Sequence, residues 1–383
     1  MRFLYGAVTR EVGIRLPPEF KAGAGKVGLL NKSLYGLRDA PQIWQDHISG
    51  TLKQAGFEEC PTTVGIYRHR TKQIALAVHV DDVLATGSAD DLNWLRDTLL
   101  KCYKVKSLLI GEGHAKTGYF LKRKIQWGPD GISWEADQRH AQSLIAEWGI
   151  TRFARHALPV SSDASKPPTG NELVGPAAKA FRSGAARVQY LSHDRADLGP
   201  AACILAQRMS APRQSDEMLL RRVADYLKTC PNLPLVFKWA SDAPHEIQAF
   251  TDSDWATCEC TRRSRSGGVL KYRGHTVAHF CRTQDAIALS SAEAELKASC
   301  KGISEALGIL ELVQFLFPSV CYLIHLTDAS ANQGILKRKG AGSLKHLSVK
   351  QLWCQDIFRR PGASCQKVAR AFNPIGRNVL RSL

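Results

Sequence analysis

The chain lacks a membrane span: no run approaches the roughly 20 apolar residues that cross a bilayer. Its N-terminus has no apolar core of the kind that a secretory leader carries. Paired metal-binding cysteines are missing as well. Eleven cysteines are scattered without a C-x-x-C pair, and Cys258-Glu-Cys260 has no second pair to complete a zinc site. Reduced thiols in the cytosol or nucleus fit this pattern best, so the expected location is cytoplasmic or nuclear, with no membrane association. There is no internal repeat and no low-complexity tail. Acidic residues are few: 35 Asp and Glu face 52 Lys and Arg, for a net charge of +17. A globular chain this basic suits a polyanionic partner, and nucleic acid is the first candidate. Nothing in the composition indicates an oligomeric state.

What is present is a chain of 383 residues, 44% hydrophobic, long enough for roughly two or three packed domains. Residues 156–186 are rich in Pro, Ser, Gly and Ala and read as a linker, and residues 229–246 hold a second cluster of prolines. Between them, Ala201 to Lys228 reads as two helices, with Leu219, Leu220, Val223, Tyr226 and Leu227 on one face. The expected domains are therefore residues 1–155, a linker and helical connection over 156–246, and residues 247–383.

In the first part, Gln73 to Gly87 (QIALAVHVDDVLATG) is an apolar run with strand character that meets two adjacent aspartates and then resumes. It predicts a hairpin presenting Asp81 and Asp82 at its tip. Two like charges so close repel unless cations neutralise them, as paired Mg²⁺ ions do in phosphoryl-transfer sites. The alternative is an Asp-Asp turn that binds nothing. Upstream stands Leu30 to Trp44 (LNKSLYGLRDAPQIW), followed by Gly56-Phe57. This order, together with Tyr119 to Trp127 (YFLKRKIQW), Tyr190 to Leu198 (YLSHDRADL) and Met209 to Pro212 (MSAP), resembles the reverse transcriptase of copia-type retrotransposons. The resemblance implies that Tyr35 and Gly36 help to hold template and incoming nucleotide and that Asp81 and Asp82 bind catalytic metal. His79 stands where that family usually has Tyr.

The last third carries a second pattern of strands ending in carboxylates. A strand from Gln248 ends at Asp252 and Asp254, a basic loop follows, and a hairpin turns at Arg273-Gly274. A helix is expected from about Ser291 to Phe317, with Leu296, Ser299, Ile303, Ala306, Leu310, Val313 and Phe317 on one stripe. A strand from Cys321 to Leu326 then delivers Asp328. The segments TDSDWA, RRSRSG, LSSAEAEL and TDASAN resemble, in order, the ribonuclease H domain that follows copia-type polymerases. By that resemblance Asp252, Glu295 and Asp328 are the catalytic metal ligands. Glu293 competes with Glu295. However, Ser290-Ser291-Ala292-Glu293 fits a capping box, which assigns Glu293 to the helix start and leaves Glu295 nearer the buried stripe. Asp254 serves equally well as a turn residue. Arg262, Arg263 and Arg265 could grip substrate phosphates, or form an ordinary solvated loop. The family resemblance implies Mg²⁺, with Mn²⁺ as an alternative, and an RNA–DNA hybrid recognised by backbone shape and 2′-hydroxyls.

Two departures from the family pattern shape the functional expectation. The polymerase needs a further Asp shortly before a segment like Phe3-Leu4-Tyr5-Gly6, whereas the first Asp here is Asp39. Polymerisation by this chain alone is therefore not expected. The ribonuclease H family also closes its site with an Asp in a segment like NPAD. Here Asn373-Pro374-Ile375-Gly376-Arg377 stands instead, and no acid follows Asp356. His346, in LKHLSVKQLW, matches a recurring family His that would contact nucleic acid, or is a plain surface residue. The expectation is a mixed α/β chain: a partial polymerase palm, a helical connection and a five-stranded mixed sheet with helices. Its activity would be weak two-metal cleavage of RNA in hybrids; the alternative is a non-catalytic basic relic that holds nucleic acid.

Overall fold

Ile74, Leu76 and Val78 are buried while Ala75, Ala77 and His79 are not, and this period of two builds the central hairpin of the N-terminal part. The computed structural model describes residues 5–17, 19–20, 25–151, 156, 158–239, 243–342, 346–347 and 349–375. Phe3, Leu4, Gly376 and Arg377 of the motifs above lie outside the described residues. By packing, the chain divides into one unit of Met1–Leu109 with Phe315–Pro318 and another of Ile110–Gln314 with Ser319–Leu383.

In the first unit, β1 (Gly13–Arg15) and β2 (Val27–Leu29) form a short antiparallel ribbon. Helix α1 (Ala40–Gln54) starts at Asp39 with Pro41 in its first turn, where a missing N–H costs nothing. Its buried Trp44, Ile48 and Leu52 lie on one face. The strands β3 (Glu58–Glu59), β4 (Ile66–His69), β5 (Ile74–His79) and β6 (Asp82–Thr86) follow, each antiparallel to the next. Helix α2 (Ala89–Leu100) begins with the Ser88 hydroxyl accepting the Asp91 N–H at 3.2 Å, a side-chain cap. Trp44, Leu52, Tyr67, Leu76 and Leu95 share the core of this unit.

The second unit opens with β7 (Thr117–Phe120), β8 (Arg123–Trp127), β9 (Gly131–Glu135) and α3 (Gln138–Glu147). Next come α4 (Gly175–Leu191), α5 (Gly199–Arg208), α6 (Gln214–Thr229) and β10 (Leu235–Lys238), which pairs with β9 to complete a sheet ordered β10-β9-β8-β7. The two helices expected over Ala201 to Lys228 are α5 and α6, with Leu220, Val223, Tyr226 and Leu227 buried and Leu219 at the margin. Residues 156–186 are not linker throughout, because α4 begins inside them. Their small residues serve packing: a Cβ at Gly184 would lie 2.6 Å from Leu220 Cδ2, so α4 and α6 approach where no side chain intervenes. The proline cluster 229–246 likewise holds a strand, β10.

The YLSHDRADL segment closes this region with buried charge. The Arg195 guanidinium donates to Asp197 at 2.9 and 2.7 Å and to the carbonyls of Pro231 and Cys230, both at 3.1 Å. Tyr226 donates its hydroxyl to the same carboxylate at 2.8 Å. Arg123 and the Trp134 indole both donate to Asp194, tying the sheet to the end of α4.

The rest of the unit is β11 (Glu246–Asp254), β12 (Arg265–Tyr272), β13 (His275–Thr283), α7 (Ser291–Leu316), β14 (Tyr322–Thr327), α8 (Ser330–Lys337), α9 (Val349–Leu352), α10 (Cys354–Ile357) and β15 (Ala363–Lys367). The five strands are ordered β13-β12-β11-β14-β15. The first pairings are antiparallel, while β14 runs parallel to β11 and to β15. The chain is thus of mixed α/β class, as expected. The α7 stripe is buried at Leu296, Ser299, Ile303, Ala306 and Val313. Phe317 departs from the expected stripe and is exposed, because the helix has already ended at Leu316.

Candidate functional site

Asp252 ends the buried part of β11, Asp328 follows β14 directly, and Glu295 sits in the second turn of α7. Because β11 and β14 run parallel, both aspartates emerge at the same end of the sheet. Glu295 reaches it through Ser253, whose backbone N–H and hydroxyl both donate to Oε1, at 3.1 and 2.8 Å. Its other oxygen, Oε2, is buried and receives no hydrogen bond from a donor among the described residues. Burial, reinforced by the charge of Asp328, pushes the Asp252 carboxyl up to about 6. Burial with the charges of Asp252 and Asp328 pushes Glu295 up to about 8.

Glu293 is engaged elsewhere. It receives the Leu289 N–H at 2.8 Å and pairs with Lys297 at 3.0 Å; although burial works against it, these donors hold its carboxyl below the usual range. Ser290 Oγ accepts the Glu293 N–H as a helix cap should, but the return bond goes to Leu289 instead of Ser290. Asp254 is the last residue of β11 and its carboxylate receives the Thr257 hydroxyl and the Arg265 N–H.

The arginine loop corrects an expectation. Arg265 is turned inward to Ser165 at 3.0 Å and Asp254 at 3.5 Å, with its side chain 11% exposed. Its place at the start of β12 directs the side chain toward the sheet. Arg262 and Arg263 are exposed. His346 lies at the start of α7, 3.3 Å from Ser290 Oγ and 3.7 Å from Glu293.

Beneath the carboxylates runs a buried polar network that no sequence period announces. Thr251 bonds Ser299 at 3.1 Å and His325 at 2.9 Å, and Asn332 donates to Ser299 at 2.7 Å and Thr327 at 3.3 Å. Three of its members neighbour a carboxylate: Thr251 precedes Asp252, Thr327 precedes Asp328, and Ser299 is one turn beyond Glu295. Burial pushes His325 down to about 3, so its ring is neutral. The chain end returns to the same place, with Asn373 donating to the Thr251 carbonyl at 3.3 Å and Arg370 lending positive charge to Asp252.

A hard divalent cation suits oxygen ligands of this kind. The orphaned Glu295 oxygen and the raised carboxyls are what such a cation would satisfy. Among the described residues, no group of three or more His, Cys, Asp or Glu is gathered closely enough to hold a metal ion as it stands. The charge of Asp328 acts on both Asp252 and Glu295, yet the three carboxylates do not converge on one point.

In the first unit, the β5–β6 loop is Val80-Asp81, flanked by the pair His79 and Asp82. Only the first loop residue has positive φ, +57° at Val80, the pattern of a type II′ hairpin. The Trp44 indole donates to the Val80 carbonyl, so the APQIW segment holds this strained turn from below. Asp81 and Asp82 are both exposed. Leu34 to Leu37 forms a turn closed by Leu37 N–H to the Leu34 carbonyl at 3.2 Å, with Gly36 at φ +98°. This places Tyr35 at the turn's corner, 53% exposed. Gly6 is needed for close approach, since a Cβ there would lie 2.4 Å from Ile43 Cγ2.

Among the described residues, no helix is long and apolar enough to cross a membrane. Residues 1–160 match the family model of reverse transcriptase (RNA-dependent DNA polymerase). The retrovirus-related Pol polyprotein from transposon RE1 of Arabidopsis thaliana is 28% identical over 322 residues, which cover 81% of this chain and 21% of that protein. The chain thus spans about a fifth of that relative's length. An uncharacterized mitochondrial protein of the same plant is 30% identical over 224 residues, covering 58% of this chain and 89% of that protein. A foamy viral protease-reverse transcriptase solved in complex with double-stranded DNA aligns over 90% of this chain and 53% of its own, at 14% identity and a TM-score of 0.22, too low to support structural inference. With its reverse-transcriptase match and these relatives, the chain belongs to the family of copia-type retrotransposon Pol polyproteins.

Proposed function

We propose that the C-terminal part, residues 247–383, is a ribonuclease H-like nuclease that cleaves the RNA strand of an RNA–DNA hybrid, with Asp252, Glu295 and Asp328 as its metal ligands. The observation that carries this reading is that Asp252 of β11 and Asp328, just after β14, emerge at the same end of the sheet, with Glu295 of α7 bonded to Ser253 beside Asp252 and acted on by both charges. Mg²⁺ or Mn²⁺ held there would supply water activation and neutralise charge at the leaving 3′ oxygen. Asp252, whose carboxyl is raised by burial and by the charge of Asp328, would be one of the groups that hold the metal. Ser253 orients Glu295, and the Thr251–Ser299–Asn332 network fixes the backbone from which all three carboxylates rise. Arg262 and Arg263, exposed in the loop after β11, are assigned to substrate phosphates, as is His346 beside Ser290 at the start of α7.

Residues 1–155 are read as part of a reverse transcriptase palm, with Tyr35, Gly36, Asp81 and Asp82 as its site residues, and residues 156–246 as the connection. Asp81 and Asp82 are a pair of exposed carboxylates, and we assign them nucleic-acid and metal contact. A second reading, a basic module that holds nucleic acid without cutting it, is favoured by one observation: the carboxylates have not converged into a ready metal site.

Cleavage of a labelled RNA–DNA hybrid by the purified chain in Mg²⁺ and in Mn²⁺, beside Asp328→Asn, decides between them. Cleavage that disappears in Asp328→Asn is the expected result. Hybrid binding that weakens with salt, with no cleavage by the unmodified chain, would leave only the second reading.

A further inference from the structure

A cavity of about 650 Å³ opens between α5 and β13, elements other than the β11, α7 and β14 that carry the carboxylates. Cys203 of α5 and Cys281 of β13 both line it, with Arg263, Arg282 and His279 around them. Cys281 and Thr283 lie two residues apart on β13 and so share a face of the strand. The Cys203 sulfur is 3.3 Å from Thr283 Oγ1, which sets it against that face. Gly199, one turn before Cys203, brings α5 so near that a Cβ there would lie 3.2 Å from the Cys281 Cβ. Two thiols separated by most of the connection are thereby brought to one wall of a solvent-reachable cavity. Neither has a part in the proposed nuclease.

We propose that Cys203 and Cys281 form a reactive dithiol that accepts a small carboxylate-bearing disulfide, such as glutathione disulfide, in this cavity and closes into an intramolecular disulfide. Cys203 is the attacking thiol. Its neighbour Cys281, then the Thr283 hydroxyl and the Arg265 charge, lower its pKa to about 6, whereas Cys281 is pushed well up. The Cys203 thiolate attacks one sulfur of glutathione disulfide, forming a mixed disulfide and expelling one glutathione thiolate. Cys281 then gives its proton to solvent and attacks the Cys203 sulfur, releasing the second glutathione. Two electrons pass from the protein thiols to the small disulfide, and both protons end on the released glutathiones. Arg263 and Arg282 supply positive charge for the carboxylates of the incoming molecule. The product ties α5 to the edge strand of the five-stranded sheet.

A second pair provides an internal contrast. Cys300 and Cys354 have sulfurs 3.3 Å apart, but Cys354 is fully buried and its thiol is pushed up beside Cys300. The test incubates the full chain with glutathione disulfide, alkylates the remaining thiols, and maps the peptides by mass spectrometry. Expected are a Cys203–Cys281 linked peptide from the unmodified chain and a retained glutathione on Cys203 in Cys281→Ser. Glutathione on exposed Cys102 and Cys260 with none on Cys203 would overturn the proposal, as would oxidation that joins Cys300 to Cys354 while Cys203 and Cys281 alkylate separately.

Discussion

Replacing Asp197 by Asn tests whether the charges beneath the YLSHDRADL segment act as one unit. Arg195 and Asp197 have side chains only 2% exposed, so neither can recover its hydration when the other is changed. Breaking one side of a buried, bidentate pair leaves an uncompensated charge and costs about 3–5 kcal/mol. At roughly 2–4 °C per kcal/mol for a domain of this size class, the midpoint of thermal unfolding should drop by about 6–20 °C. Arg195→Met should cost a similar amount, since the Asp197 carboxylate and the carbonyls of Pro231 and Cys230 then lose their donor. The double variant Arg195→Met with Asp197→Asn removes both charges and should fall short of the summed single costs by at least about 2 kcal/mol. Denaturant unfolding of the four proteins at pH 7 closes this double-mutant cycle. Additivity to within about 0.5 kcal/mol, or an Asp197→Asn cost below about 1 kcal/mol, would refute the coupled-charge account.

The remaining predictions concern the two carboxylate sites. Trp44→Phe removes the donor to the Val80 carbonyl while keeping most of the buried ring, and should cost about 1–2 kcal/mol and loosen the hairpin, seen as faster amide exchange at Val80 and Asp81. Unchanged exchange there would show that the turn holds itself. Without divalent metal, Glu295 in the folded chain keeps its proton up to about pH 8, whereas the unfolded chain loses it near 4.5. Folding therefore takes up a proton in this window. The Glu295 contribution is fully present below pH 4.5 and lost as pH rises through 8, at about 1.4 kcal/mol per pH unit. Glu295→Gln should flatten the stability profile between pH 6 and 8 relative to the unmodified chain; equal slopes in denaturant titrations would contradict it. His325, held neutral by burial, should show no imidazole titration by NMR between pH 7 and 5, and a protonation midpoint near 6 would show that the network beneath the site is wet.

Much of this architecture was legible because it is local. The alternation through Ile74, Leu76 and Val78, the turn at Arg273-Gly274, and the α7 stripe from Leu296 to Val313 are all written within a few residues of one another. The start of α7 was legible in part: Ser290 caps the Glu293 N–H as its position suggests, while the return bond goes to Leu289. Composition misled at α4, where Ala178, Gly184 and Ala185 resembled linker residues but are small because another helix lies against them. Arg265 could not be told from Arg262 and Arg263 before the strand boundary was known. The network through Asn332 and His325 and the pairing of Cys203 with Cys281 depend on partners far away in the chain. No window of sequence carries that information.

The parallel pairing of β11 with β14 has a consequence for the order of synthesis. The antiparallel strands β11, β12 and β13 can zip together as soon as they leave the ribosome, since each contacts its sequence neighbour. Asp252 then stands alone until α7 has crossed over and β14 has emerged, and β15 comes later still to cover the outer edge of β14. Pairings of such high sequence separation form slowly. A nascent chain therefore carries one half of its acidic cluster for the whole time that the long helix is being made, and the nuclease proposed here could not act on nearby RNA before its own translation had passed residue 328.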